Sequence, residues 1–252
     1  MPQTEISTLT YNLPKLVNEN GGQTRIFIPK YGNINERRHQ LHEVIRLSGI
    51  NLIIDDMDMP LIIKVASIPK ERMQVYFIDS EDYFKGRSGY SKDENNKLYK
   101  DNDERSIFFS KGVIETIKKL NWAPDLIHVH GWIASLLPLY MKYYYKDDPI
   151  FDGTKVVVSL YENALDGKMD KNFVKKIKYD EIDDSNLTLL NESTYENLYK
   201  IALKYADGAI LTSDLKNKFS SVLKNIDIPI LECPHSSDDY KEKYTEFYNS
   251  FL

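Results

Sequence analysis

The sequence of 252 residues is poor in the features that mark several large classes of protein. It holds one cysteine, Cys233, which excludes an internal disulfide framework and a zinc site built from several cysteines. No apolar run approaches the roughly 20 residues that a membrane-spanning helix requires, and the N-terminal residues lack the basic-then-apolar pattern of a secretory signal. We therefore expect a folded protein of the reducing cytoplasm, without a membrane partner.

The sequence also lacks an excess of positive charge, since it has 33 basic and 38 acidic residues and a formal net charge of −5. The two signs are interspersed, so the sequence offers no cationic stripe for nucleic acid. The glycine-rich phosphate loops, the HExxH metal motif and the GxSxG nucleophile motif are all missing. We expect no metal site, no cofactor and no self-contained nucleotide site.

What the sequence does contain is an alternation of strand and helix patterns along most of its length. Continuous apolar runs such as 155–160 (KVVVSL) are typical of strands buried on both faces, and amphipathic helices such as 103–120 separate them. This alternation predicts an α/β fold with a doubly wound, mostly parallel Rossmann-like sheet. The central strands are expected at Thr24–Pro29, Ile127–His130, Val156–Leu160 and Ala209–Leu211.

Two segments depart from this alternation. Residues 47–78 hold three β-branched runs separated by Asp-Asp, Pro and charged residues, which predicts a small antiparallel extension of the sheet. Residues 166–191 are charged and weakly patterned, so we expect there either a mobile loop with a short helix or an insertion with little fixed structure. Further on, Ser213 and Asp214 form a good N-cap for a helix over 215–223.

The most informative segment is 124–132 (PDLIHVHGW), an apolar strand pattern that ends in two histidines and a glycine. Ligands of open α/β sheets bind at the carboxyl ends of strands, and a glycine permits the sharp turn that follows. His128 and His130 alternate with Val129, so their side chains are expected to point the same way. Each is either a ligand contact or a structural histidine bonded to a neighbouring loop, and the structural outcome is the commoner one for any single histidine.

Five segments, in register, resemble the catalytic domain of starch and glycogen synthases, glycosyltransferase family 5, in its N-terminal GT-B half. Residues 13–32 are similar to the family's LPKAL and VRVLLPRYG segments, and residues 75–84 are similar to VYFLD followed by YF. Residues 99–105 (YKDNDER) resemble YxDNxxRF, and 124–132 resemble PDVVHxHDW. Residues 206–213 (ADGAILTS) are similar to ADxVxTVS, so the matches extend along nearly the whole chain.

This resemblance implies an enzyme that transfers glucose from ADP-glucose to an α-1,4-glucan acceptor. It makes residues 1–252 one N-terminal GT-B domain, with the family's C-terminal nucleotide-binding domain absent from the sequence and required as a separate half. A catalytic role for His130 is also implied. His130 fits a structural histidine as well as it fits a ligand contact, His128 and Trp132 fit the core better than a ligand site, and helix capping would use the same chemistry of Asp101 and Asn102 as sugar binding. The implied substrate-binding residues are Tyr99, Asp101, Asn102, His128, Trp132 and Tyr161.

Departures from the family pattern support a second hypothesis. The KTGGL phosphate loop is replaced by 2–6 (PQTEI), where Glu5 would repel a diphosphate that a lysine would neutralise. The HDWH segment becomes 130–133 (HGWI), and TIHN becomes 159–162 (SLYE). The alternative is a non-catalytic glucan-binding or regulatory homologue. On either hypothesis, the isolated chain is expected to bind ADP-glucose weakly or not at all and to have negligible transferase activity.

Overall fold

The computed structural model describes residues 4–68, 71, 73–87, 91–161, 167–212, 219, 222–234 and 237–252. The predicted cap at Ser213 and Asp214 and most of its helix lie outside the described residues, as do Pro2, Gln3 and Glu162. Among the helices that are described, none is both long enough and apolar enough to cross a membrane.

Strands and helices alternate along the described chain, as the sequence predicts. The strands are β1 (Arg25–Pro29), β2 (His42–Glu43), β3 (Ile50–Ile54), β4 (Met57–Ile68), β5 (Met73–Asp79), β6 (Leu126–His130), β7 (Lys155–Leu160), β8 (Gly208–Leu211) and β9 (Ile230–Glu232). The α-helices are α1 (Glu5–Glu19), α2 (Glu81–Phe84), α3 (Asn102–Leu120), α4 (Leu137–Tyr143), α5 (Phe173–Lys178), α6 (Asp184–Leu187), α7 (Tyr195–Lys204) and α8 (Tyr240–Asn249). Short 3₁₀ turns lie at Trp132–Ala134, Pro149–Phe151 and Thr188–Asn191.

Hydrogen bonding divides these strands into two sheets. The first is entirely parallel and has the order β6-β7-β8-β9. The second has the order β1-β5-β4-β2, with β3 paired to β4, and only β1 and β5 are parallel in it. The predicted α/β class is confirmed, and so is the antiparallel extension. The prediction that one sheet holds all four central strands is wrong, because β1 pairs with β5 and no described strand bonds its other edge.

The parallel sheet is buried on both faces, which explains the continuous apolar run of β7. On one face, Val157 packs in a cluster with Leu9 of α1 and Tyr244 of α8. On the other face, Val156 and Val158 belong to the larger core that includes residues of α3, α4 and α7. Alternate residues of a strand point to opposite faces, and complete burial of one valine stabilises the fold by about 1.5–3 kcal/mol.

Residues 167–191 pack firmly against α3, so the expectation of an insertion with little fixed structure is wrong. Phe173 and Ile177 of α5 are completely buried. Lys176 of α5 places its Nζ 2.7 Å from Asp103 Oδ2, and Lys111 of α3 pairs with Asp180. Two of the charges that make this segment look solvated, Lys176 and Asp180, are therefore partners in buried ion pairs, which composition alone does not reveal.

Candidate functional site

Gly131 sets the local geometry at the end of β6. Its φ of 75° and ψ of 170° lie in a region that is essentially restricted to glycine. His130 and Trp132, on either side of it, enter different clusters of side chains. We call these the histidine cluster (His128, His130, Ser159, Tyr161 and Tyr248) and the arginine cluster (Tyr31, Phe84, Tyr99, Asn102, Arg105, Trp132 and Tyr195).

The histidine cluster is a chain of hydrogen bonds beneath α8. His128 Nδ1 lies 2.7 Å from the Tyr248 hydroxyl, and its Nε2 lies 2.7 Å from Ser159 Oγ. His130 Nδ1 lies 2.5 Å from the Tyr161 hydroxyl, and the two imidazole rings are 3.9 Å apart between centroids. Both ring nitrogens of His128 are thus engaged within the protein, whereas Nε2 of His130 is the nitrogen that could serve a ligand.

Burial decides the protonation of this cluster. It lowers the pKa of His130 to about 4, and burial together with the nearby His130 holds the pKa of His128 well below its usual range. Burial also raises the pKa of the Tyr161 hydroxyl. Both imidazoles are therefore neutral near pH 7. A neutral His130 can bond a sugar hydroxyl but holds no proton in reserve as an imidazolium acid.

The arginine cluster lies between α3 and α7. Asn102 is almost completely buried, and its Nδ2 donates to the Ser91 carbonyl at 2.8 Å and to the Tyr195 hydroxyl at 2.7 Å. Its Oδ1 accepts from Arg105 Nη1 at 2.8 Å. The Trp132 ring packs edge-on against Tyr195, with centroids 5.7 Å apart. Asn102 therefore fastens the start of α3 to α7, and this network holds Trp132 in place.

A more accessible rim borders this cluster. Arg87 Nη1 donates to both carboxylate oxygens of Asp101, at 2.5 and 2.6 Å, and both side chains remain about one quarter exposed. The same guanidinium lies 4.8 Å from the centroid of the Tyr99 ring. Asp101 precedes α3 but makes no capping hydrogen bond with its side chain. A fixed carboxylate beside an aromatic face is chemistry that suits a sugar.

The N-terminus of α1 lies where the sequence predicts a lost phosphate site. Thr4 and Ser7 form a reciprocal capping box, with Ser7 N donating to Thr4 Oγ1 at 3.1 Å and Thr4 N donating to Ser7 Oγ at 2.9 Å. Glu5 adds a carboxylate to the first turn, and Ile6 lies 3.5 Å from where a Cβ on Gly131 would stand. Two amides that could hold an anion are therefore satisfied within the helix.

The residues that the sequence analysis selects thus fall into two groups. Tyr99, Asn102 and Trp132 lie in the arginine cluster, with Asp101 on its rim, and the other three selected residues lie in the histidine cluster. Among the described residues, no hydrogen bond, ion pair or ring contact joins His130 to Asp101 or Asn102. The assigned roles stay predictions. No three His, Cys, Asp or Glu side chains within the described part of the chain converge in a way that could hold a metal ion.

Several residues of both clusters are not among those predicted from the sequence. Arg105 stands three positions after Asn102, so helical spacing could have placed the two side chains together. Arg87 and Tyr195 carry no comparable signal. Tyr248 is 120 positions from His128, and no local pattern links them.

The fold and these clusters define an α/β domain with polar and aromatic side chains gathered where the parallel strands β1 and β6 end. A family model for the starch synthase catalytic domain matches residues 4–215. The chain belongs to this family, which confirms the resemblance seen in its motifs.

Curated relatives and a solved structure agree with this assignment. The chain is 34% identical over 204 residues to a glycogen synthase of Chlorobium limicola, covering 81% of this chain and 41% of that protein. It is 37% identical over 203 residues to a glycogen synthase of Chlorobaculum tepidum, with coverage of 81% and 41%. The catalytic domain of Starch Synthase IV from Arabidopsis thaliana, bound to ADP and acarbose, has the same fold, with a TM-score of 0.72 at 16% identity over 94% of this chain and 49% of that one. The chain thus spans about two fifths of the length of these curated relatives.

Proposed function

We propose that this chain is the acceptor-binding half of a glucosyltransferase that moves glucose from ADP-glucose to an α-1,4-glucan. The family match over residues 4–215 carries this proposal. The two relatives are named glycogen synthases, and the plant neighbour binds ADP and acarbose. Residues 1–252 then act as one N-terminal GT-B domain in the cytoplasm, and a separate nucleotide-binding half holds the donor.

In this proposal the glucan lies along the rim of the arginine cluster. Tyr99 stacks on a sugar face, Asp101 accepts hydrogen bonds from its hydroxyls, and Trp132 supplies a second aromatic surface. Asn102 positions Trp132 through Tyr195. His130 offers Nε2 to the reaction centre, while His128 and Tyr161 hold its ring. The departing nucleotide needs electrostatic stabilisation that the separate half provides.

A second candidate, a non-catalytic glucan-binding or regulatory homologue, is favoured by the N-terminus of α1. The amides of Thr4 and Ser7 are satisfied by each other's hydroxyls, and Glu5 places a negative charge in the same turn. A diphosphate at this position would meet repulsion where a helix terminus normally attracts it. This candidate keeps the acceptor rim and loses donor chemistry.

Two measurements on the isolated chain test what these candidates share. Titration of the purified chain with maltooligosaccharides should show binding that Tyr99→Ala weakens, whereas Tyr179→Ala, at an exposed tyrosine of another surface, should bind as the parent does. Incorporation of labelled glucose from ADP-glucose into glycogen should be negligible for the chain alone, far below about 1 per second.

The incorporation assay should then be repeated with the C-terminal half of the Chlorobaculum tepidum relative added in trans. Restored turnover supports the transferase half, and glucan binding without turnover supports the regulatory homologue. A chain that binds no maltooligosaccharide contradicts both proposals. Turnover at ordinary enzymatic rates by the chain alone would contradict the need for a second half.

A further inference from the structure

Arg105 is a completely buried cation whose hydrogen-bonding capacity is mostly unused. Its Nη1 donates to Asn102 Oδ1 at 2.8 Å. Its Nε and Nη2 atoms are buried and have no hydrogen-bond partner among the described residues. These two nitrogens form one edge of the guanidinium, the edge that binds two oxygens of a carboxylate or phosphate side by side. Within the described part of the chain, this edge of the guanidinium is thus left without a partner.

No carboxylate in the described part of the chain forms an ion pair with this guanidinium. Asp101, the nearby acid, directs both of its oxygens to Arg87. Burial consequently lowers the pKa of Arg105. Besides the field of Asp101 and the hydrogen bond to Asn102, aromatic rings surround the positive charge: the guanidinium carbon lies 5.3 Å from the Tyr99 ring centroid, 5.6 Å from those of Phe84 and Trp132 and 6.0 Å from that of Tyr31.

The position of Arg105 places the free fork where ligands of α/β domains bind. Tyr31 follows the end of β1 by two residues, and Trp132 follows the end of β6 by two residues. Both rings face the guanidinium, so it lies near the carboxyl ends of two parallel-sheet strands. The guanidinium of Arg87 also lies against the Tyr99 ring and adds a second positive charge at the rim.

We propose that Arg105 anchors a binding site for an oxyanion, a phosphoryl or carboxylate group, held bidentately by Nε and Nη2 between aromatic walls. This site goes beyond the proposed function, because a neutral glucan carries no oxyanion and the diphosphate of the donor is assigned to the separate half. A ligand that joins such a group to a sugar or another flat apolar body fits the rings around it.

Calorimetric titration of the full chain with inorganic phosphate, and separately with acetate, tests the site at constant ionic strength. Phosphate binding alone assigns a phosphoryl ligand, and acetate binding at least as tight assigns a carboxylate. Arg105→Lys keeps the charge but loses the fork and should weaken binding about tenfold or more, as expected for one charge-assisted hydrogen bond. The matched control is Arg25→Lys, since Arg25 stacks on Trp122 at 4.3 Å with only one nitrogen buried and unpaired. It should bind as the parent does.

A second measurement leaves Arg105 intact, in case its variant does not fold. The chain has two tryptophans, so Trp122→Phe makes Trp132 the single fluorescent reporter beside the guanidinium. Saturable change of its fluorescence with phosphate or acetate is expected, and Trp132→Phe, which keeps Trp122, should show none. The proposal is overturned if neither phosphate nor acetate binds in the millimolar range, or if Arg105→Lys binds the anion as tightly as the parent does.

Discussion

The histidine cluster and the arginine cluster flank the same glycine, yet they bury polar groups in opposite ways. His128 uses both ring nitrogens on protein partners and is held neutral by burial. Arg105 keeps its charge, and two of its three nitrogens have no hydrogen-bond partner among the residues that the structure describes. Buried polar groups in proteins are nearly always satisfied, so an unsatisfied one calls for an explanation. The comparison favours a structural role for the first cluster, and it is the basis on which we propose a ligand at the second.

The largest effect that this comparison predicts is the cost of removing His128. His128→Ala should lower the free energy of unfolding by about 3–4 kcal/mol, because it leaves a cavity and strands the hydroxyls of Tyr248 and Ser159. Urea denaturation measures this directly. Tyr248→Phe, which removes one hydroxyl and little volume, should cost about 1 kcal/mol. If His128→Ala lowered the free energy of unfolding by less than about 1 kcal/mol, the cluster would not stabilise the fold.

Acid should lower the free energy of unfolding of the wild-type chain through the same cluster. The pKa of His130 is about 4 in the folded protein and about 6.5 in an unfolded chain, so the unfolded state binds the proton first as pH falls. The stability that depends on neutral His130 is complete above about pH 6.5 and is lost progressively toward pH 4, by up to about 3 kcal/mol.

Denaturant unfolding at several pH values between these limits tests this loss. His130→Gln should make the profile shallower, because it removes one of the two titrating rings and leaves that of His128. Trp132→Phe changes a ring of the arginine cluster without removing a titratable group and should keep the slope. A His130→Gln profile as steep as that of the parent would assign the acid sensitivity to other groups.

Gly131 joins the two clusters, so strain at this residue tests whether they depend on each other. With φ at 75° and ψ at 170°, an alanine here should cost about 1–3 kcal/mol through backbone strain alone, since its Cβ would meet Ile6 only at an ordinary contact distance of 3.5 Å. Thermal unfolding of Gly131→Ala measures it. Gly153→Ala, at a positive φ of 81° in a turn remote from both clusters, is the matched control for strain.

Damage confined to the clusters would appear as lost maltooligosaccharide binding in Gly131→Ala and normal binding in Gly153→Ala. Equal binding by both variants would show that the clusters act independently. These backbone angles suit the glycine that stands here in place of the aspartate of the family motif, since a residue with a side chain would be strained in this conformation.

The sequence predicts the fold better than it predicts the grouping of site residues, for a physical reason. Hydrophobic periodicity and burial on both faces define strands such as β7, and these depend on local composition. The separation of His130 from Asn102 depends on the backbone angles of Gly131, which a glycine permits but does not dictate. Tyr248 reaches His128 only through tertiary packing of α8. The buried pair of Lys176 and Asp103 likewise forms only after α5 docks on α3.

The smallest expected effect on stability is at the rim, where Asp101→Asn separates recognition from folding. Asp101 and Arg87 are each about one quarter exposed, and the aspartate makes no capping bond to α3, so loss of its charge should cost less than about 1 kcal/mol. Maltooligosaccharide affinity should nevertheless fall several-fold, because the carboxylate accepts sugar hydroxyls in the proposed complex and also holds Arg87 over Tyr99. Calorimetric titration and urea unfolding of this one variant measure the glucan affinity and the free energy of unfolding.

Glu81→Gln, which breaks an exposed ion pair with Lys85, controls for the loss of one carboxylate and should leave the glucan affinity and the free energy of unfolding unchanged. Normal glucan affinity in Asp101→Asn would move the acceptor away from this rim, and a large loss of stability would make Asp101 part of the fold, as His128 is.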